Sequence, residues 1–191
     1  MENITGIILA GGKSSRMGTD KGFLTLKGKP FIQHSIDALK PFTSDIIIVS
    51  NNSDYDVFGL KRIEDIIENE GPLAGIYSGL KHTKTDYNLI LSCDIPLINS
   101  NILQKLIDAI NDDSEVIQIE SNGKTMPLIA LYKKQCEQTF LEFLNKNERR
   151  LQLAISKCRM KNVVLNDEDT FFTKNINTPE QLKQVEDAYN Y

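Results

Sequence analysis

Hydrophobic positions in the first hundred residues fall into short unbroken runs, separated by stretches where they recur every three or four residues. Ile7, Ile8, Leu9 and Ala10 close a run over 5–10 that ends in glycines. Ile46, Ile47, Ile48 and Val49 fill a run over 45–51, and Leu89, Ile90 and Leu91 fill one over 87–93 that ends at Asp94. Apolar runs of this length, bounded by turn residues, predict strands covered on both faces, as in a parallel sheet. Residues 62–65 predict a shorter strand.

The intervening stretches have helical spacing. Pro30 predicts a helix start with Ile32, Ile36 and Leu39 on one face. Gly71 to Gly75 reads as a turn leading into a helix over 76–84. Asn99 or Ser100 can cap a helix carrying Ile102, Leu103, Leu106, Ile107 and Ile110. Two more strands, over 115–120 and 128–132, are expected to pair through the Asn122-Gly123 turn. Helices follow over 134–145 and near 150–157. Thr178-Pro179-Glu180-Gln181 has the form of a capping box with proline at the first helical position, so a last helix should run to about Ala188. Strands alternating with helices predict an α/β fold. Its sheet is mostly parallel, with helices on both faces and a small antiparallel addition. A chain of 191 residues without repeats or a low-complexity linker fits a single domain over 1–191.

Composition narrows the function. A net charge of −4 gives no basic footprint for nucleic acid, so an anionic ligand would need a local cationic site. Cys93, Cys136 and Cys158 are few, odd in number and far apart, which argues against a disulfide framework or a zinc site and fits a reducing compartment. The apolar run over 7–10 is too short for a signal peptide, and no run reaches membrane-span length. The expectation is a cytoplasmic protein with no membrane contact.

In open parallel sheets, ligands bind beyond the carboxyl ends of the strands. Four features fall there: the loop after Ala10, the Ser50-Asn51-Asn52 segment, Asp65 with the Gly71–Gly75 stretch, and Asp94. The loop, LAGGKSSRMGTDK, contains Gly-Lys-Ser but fits no Walker loop, because Ile7 stands where the first glycine belongs. The Rossmann spacing fails as well. Three glycines (11, 12 and 18) and three cations (Lys13, Arg16 and Lys21) can nevertheless hold phosphate. Asp94, at a strand end, can bind Mg²⁺, though it serves equally as a turn former before Pro96. Asp65 can accept hydrogen bonds from a sugar or base, or be a plain loop carboxylate. The Glu148-Arg149-Arg150 pair can hold a second anion or simply start a helix. His34, His82 and Cys93 read as structural, and no Ser/His/Asp or Cys/His constellation is present.

Taken in order, these blocks resemble a known family. The loop Leu9-Ala10-Gly11-Gly12-x-Ser14-x-Arg16-Met17-Gly18-x-Asp20-Lys21 looks like the signature of GT-A-like nucleotidyltransferases, which have a Rossmann-like fold. Further matches are Gly28-Lys29-Pro30, Ile63-Glu64-Asp65, Gly71-Pro72-Leu73-Ala74-Gly75, Cys93-Asp94-x-Pro96, Glu148-Arg149-Arg150 and Asn175-x-Asn177-Thr178-Pro179-Glu180. The set spans nearly the whole chain and resembles the molybdenum cofactor guanylyltransferase (MobA) family.

The resemblance implies transfer of GMP from GTP to the terminal phosphate of Mo-molybdopterin, with Mg²⁺ as cofactor. It implies Leu9, Ala10, Gly11, Gly12, Lys21, Asp65, Gly75 and Asp94 at GTP, with Asp94 also on the metal. Arg16, Lys21 and Asp94 would be catalytic, and Arg149, Asn175 and Asn177 would face the pterin. The nucleotide would occupy the half over about 1–100 and the pterin the half over 101–191. A molybdenum-inserting protein and recipient molybdoenzymes are implied partners. Two features depart from the family pattern: Ser50 stands where members often have Asn, and a single residue separates Gly18 from Asp20. Rival readings are a cytidylyltransferase of the same superfamily, acting on molybdopterin or a sugar or polyol phosphate, and a non-catalytic nucleotide-binding module.

Overall fold

A computed structural model describes residues 3–11, 20–67 and 70–189. Its centre is a seven-stranded sheet. The strands are β1 (Ile4–Leu9), β4 (Asp45–Val49), β5 (Lys61–Ile63), β6 (Tyr87–Ser92), β7 (Val116–Ser121), β8 (Lys124–Lys133) and β9 (Met160–Val164). Their spatial order is β5-β4-β1-β6-β8-β7-β9. β8 runs against both of its neighbours, and every other pairing is parallel. A two-stranded hairpin, β2 (Thr25–Leu26) with β3 (Lys29–Pro30), stands apart.

The unbroken apolar runs are the centre of this sheet because both faces are covered. Ile8, Ile48, Leu89 and Leu91 face one apolar layer with Ile32, Leu39, Ile102 and Leu106, from α1 (Phe31–Leu39) and α3 (Ser100–Asp108). Ile7, Ile47, Val49 and Ile90 face the other layer, with Leu73, Ile76 and Leu80 from α2 (Gly71–Lys81) and Phe140 from α4 (Cys136–Asn145). α5 (Leu151–Ile155) adds Ala154 and Ile155 to that second layer. α6 (Asp167–Thr170) and α7 (Pro179–Tyr189) complete the C-terminal region, where Ile176 and Val185 pack on Leu26, Phe31 and Leu97.

Several expectations are refined. The Gly71–Gly75 stretch is helix, not turn: Pro72 sits in the first turn of α2, where its missing N–H costs nothing, and Gly71 enters at φ +73°. α2 stops at Lys81 rather than 84. The Asn122-Gly123 turn is as expected, with both residues at positive φ (52° and 69°), the conformation a two-residue hairpin requires. Its second strand begins at Lys124, four residues before the expected start, and its register with β7 shifts at Gln118/Ile119. Asn99, not Ser100, caps α3 through a bond from the Ile102 N–H (3.2 Å). β9, with four of its five residues exposed, and the β2–β3 hairpin, with two residues per strand, are not expected from the sequence.

No described helix is long and apolar enough to cross a membrane.

Candidate functional site

The chain leaves β1 for β4 on one side and later returns to β6 on the other, so β1 and β6 flank a topological switch point. There the strand ends are tied together: the Ala10 N–H donates to Val49 O, the Cys93 N–H to Leu9 O and the Ser50 N–H to Ile63 O, at 2.9–3.1 Å. A cleft of about 750 Å³ opens over these ends, lined by 9–11 at the end of β1, by 49–52 at the end of β4, by Asp20, Asp65, Ser92 and Leu128, and by Gly71, Pro72 and Gly75 of α2. The volume suits a nucleotide. Of the four features expected to converge here, the start of the loop after Ala10, the Ser50-Asn51-Asn52 segment and Asp65 with the Gly71–Gly75 stretch line the cleft; Asp94 does not, lying two residues past the lining residue Ser92.

Asp65 follows β5 rather than ending it, and its backbone N–H donates to Asn51 Oδ1 (2.8 Å). The next N–H, of Ile66, donates to the buried Ser78 Oγ of α2 (2.9 Å). The carboxylate is thereby set beside Gly75, where a Cβ would come within 3.3 Å of Leu9 Cδ2 and 3.6 Å of Asp65 Oδ1. Ser50 uses its Oγ locally, accepting from the Asn52 N–H (3.2 Å).

Lys21 lies in a short 3-10 turn over Lys21–Phe23. Its Nζ stands 3.5 Å from Asp94 Oδ2 and donates to Asn177 Oδ1, a contact across 156 positions of sequence. Asn175 Nδ2 donates to Asp94 Oδ1 (3.3 Å), and the Ile176 N–H donates to Asp94 O (2.8 Å). The segment entering α7 thus clamps the Asp94 corner and the lysine together. Neither side chain of the ion pair is more than a quarter exposed, so a cation and a carboxylate are held in a fixed relation, the cation next in sequence to the cleft residue Asp20. Among the described residues no group of three or more His, Cys, Asp or Glu side chains gathers as a metal cluster.

A second cavity of about 510 Å³ opens between the β7–β8 hairpin and the segment before α7. Ile95, Met126, Leu128 and Ile129 give it an apolar wall, Lys124 and Lys174 supply charge, and Leu128 is shared with the first cleft. Of the three residues expected at the pterin, Asn175 lines this cavity. Asn177 holds Lys21, and the Arg149 guanidinium is engaged by Glu70 just before α2. Arg150 chelates Glu148, holding that carboxyl down to about 2. Gly12, Lys13, Arg16 and Gly18 lie outside the described residues.

The residues read as structural are so placed. His34 Nε2 is 3.1 Å from Leu26 O, and His82 Nδ1 is 2.8 Å from Ser78 O. Burial pushes the Cys93 thiol well above its usual range, so it is no thiolate nucleophile. All three cysteines are free. Not foreseen was the part played by Asp20. It accepts from Tyr55 and Asn52, residues beyond the second strand whose role has no sequence signal short of that fold.

Known proteins are similar to this chain over most of its length. The family model of the MobA-like NTP transferase domain matches residues 6–160. A probable molybdenum cofactor guanylyltransferase of Flavobacterium johnsoniae is 36% identical over 185 residues, covering 97% of each chain. The molybdenum cofactor guanylyltransferase of Vibrio parahaemolyticus is 36% identical over 181 residues, covering 93% of this chain and 92% of its own. In fold, the chain is similar to the molybdopterin-guanine dinucleotide biosynthesis protein A of Archaeoglobus fulgidus. The TM-score is 0.81 over 97% of this chain and 98% of that one, at 20% identity.

Proposed function

The chain belongs to the MobA-like NTP transferase family, and from that premise we propose that it transfers GMP from GTP to the terminal phosphate of Mo-molybdopterin, releasing pyrophosphate. The observation that carries this reading is the pairing of two adjoining cavities with Lys21 and Asp94 held beside them. The first cavity takes GTP and draws on residues 9–92 with Leu128. The second draws on 95–175 and takes the pterin, so the nucleotide half and the acceptor half follow each other along one domain.

In this reading the acceptor phosphate oxygen attacks the α-phosphorus in line, the bond to the β-phosphate breaks, and the electron pair leaves on pyrophosphate. Such transfers need positioning and charge neutralisation rather than a side-chain nucleophile, in keeping with the buried, protonated Cys93. Lys21 meets the triphosphate, and the backbone at Leu9, Ala10 and Gly11 walls the nucleotide. Asp65, oriented by Asn51, accepts from guanosine. Asn175 and the Lys124/Lys174 pair face the pterin and its phosphate, and Arg149 stays at the rim with Glu70.

Asp94 suits Mg²⁺, which prefers hard oxygen donors and binds through one or two carboxylates plus substrate phosphates rather than an all-protein cage. Held there, the ion would supply positive charge to the triphosphate. The cytoplasm, where three free cysteines persist, is the setting we assign. The product would pass from there to a molybdoenzyme, with a molybdenum-inserting protein upstream.

The test is thermal stability with Mg²⁺ and each of the four nucleoside triphosphates. A ligand at a hundredfold its Kd adds about 2.7 kcal/mol, so GTP alone should raise the melting temperature. A rise with CTP instead would redirect the assignment to cytidylyl transfer.

A further inference from the structure

Tyr55 does not itself line the nucleotide cleft, yet its hydroxyl bonds Asp20, which does and which directly precedes Lys21. It sits in a 3-10 helix over Ser53–Phe58, entered through an Asn52 cap whose Oδ1 accepts from the Asp54 N–H (3.0 Å). The Tyr55 side chain is fully buried and stacks on Phe23, with ring centroids 4.7 Å apart and planes at 28°. Its hydroxyl donates to Asp20 Oδ1. The same oxygen accepts from the Gly22 N–H (3.1 Å), and Asp20 Oδ2 accepts from Asn52 Nδ2 (3.2 Å). The carboxylate is thus held from three directions, and the turn carrying Lys21 hangs from it.

Gly22 shows that this approach is built in. A Cβ there would lie 2.1 Å from the Tyr55 hydroxyl oxygen and 2.8 Å from two ring carbons. No other residue lets the tyrosine reach Asp20 while the chain makes that turn. Burial and the neighbouring carboxylate push the phenol far above its usual range, so the hydroxyl keeps its proton and remains a donor.

The geometry points to Tyr55 as a positioning residue for nucleotidyl transfer: through Asp20 it fixes the turn that presents Lys21 to the triphosphate opposite Asp94. A plain core tyrosine would fill space without affecting Lys21. The inference rests on Lys21 meeting the phosphates, and the experiment separates the two.

The experiment is a double-mutant cycle on Mg²⁺·GTP affinity, measured by calorimetry for wild type, Tyr55→Phe, Lys21→Ala and the double variant. Phenylalanine keeps the stacked ring and loses only the hydroxyl. Tyr55→Phe should weaken binding by about five- to tenfold while lowering the melting temperature by only about 2–4 °C. In the Lys21→Ala background the same change should cost no more than about twofold, because contacts that act through one another are non-additive. Turnover should follow the same cycle, with the KM for the pterin unchanged.

Equal losses in both backgrounds would overturn the inference, as would an unchanged affinity in Tyr55→Phe. If wild type binds a different nucleoside triphosphate, the cycle is run with that one: the guanylyl reading falls and the Tyr55 assignment is still decided. If none binds, both fall. Should Tyr55→Phe fail to fold, Asp20→Asn keeps the side chain's shape and must show the same coupling to Lys21.

Discussion

Replacing Asp94 by Asn removes one charge and leaves the corner's shape. Asp94 Oδ2 is 3.5 Å from Lys21 Nζ. At an effective dielectric of about 20 that pair is worth about 5 kcal/mol of bare attraction. Most of it is returned in desolvating the two ions, so a partly solvated pair contributes about 1 kcal/mol or less. The Ile176 N–H bond goes to the Asp94 backbone carbonyl and is untouched by the change. In a domain of this size, about 1 kcal/mol corresponds to a fall of about 2–4 °C in Tm. Catalysis should respond very differently, because the carboxylate that would hold the metal is gone and Lys21 loses its counter-ion. The expected loss in kcat is about 10³-fold or more. Pyrophosphate release under saturating GTP and acceptor, set beside a thermal melt, reads both quantities. Turnover within about tenfold of wild type would refute the role given to Asp94. A Tm loss above about 8 °C would refute the claim that the pair is functional rather than structural.

Three further outcomes are expected. Asp65→Ala should weaken GTP about tenfold or more, the worth of a hydrogen bond to a charged group, with the protein's unliganded melt unchanged within a few degrees; calorimetry reads the first and a melt the second. Gly79→Ala should destabilise the fold despite alanine's better helix propensity, because its Cβ would lie 2.6 Å from Ile7 Cγ2 at the sheet centre. Overpacking of about 1–3 kcal/mol exceeds a propensity gain of about 1 kcal/mol, so urea titration should show a lower midpoint. Asn175→Ala should raise the KM for the pterin several-fold with little change for GTP, since its amide lines the second cavity and bonds Asp94; steady-state kinetics on both substrates decides it.

How much of this was legible in the sequence depended on burial. β1, β4 and β6 showed themselves because a strand covered on both faces has no reason to alternate. β9 did not: four of its five residues are exposed, and its pairing with β7 comes from backbone bonds that leave no apolar signature. The Gly71–Gly75 stretch misled for a definite reason. Glycine and proline are turn formers, but proline also fits the first turn of a helix, and here all eight residues after Pro72 are buried, with Leu73 and Ile76 in the apolar layer against the sheet. The candidate cleft was legible wherever it followed from strand ends, as at Ala10 and Asp65. It was not legible where distant segments meet. Lys21 with Asn177, Asp20 with Tyr55, and Arg149 with Glu70 are products of the fold, and spacing alone carries no trace of them.

The most direct test of the account is to incubate the purified protein with Mg²⁺, GTP and Mo-molybdopterin and to follow both products. The account predicts the guanine dinucleotide and pyrophosphate in equal amounts, with neither formed when CTP replaces GTP and both formed about 10³-fold more slowly when Asp94 is Asn. GTP that binds but yields no dinucleotide, or a dinucleotide formed from CTP alone, would contradict it.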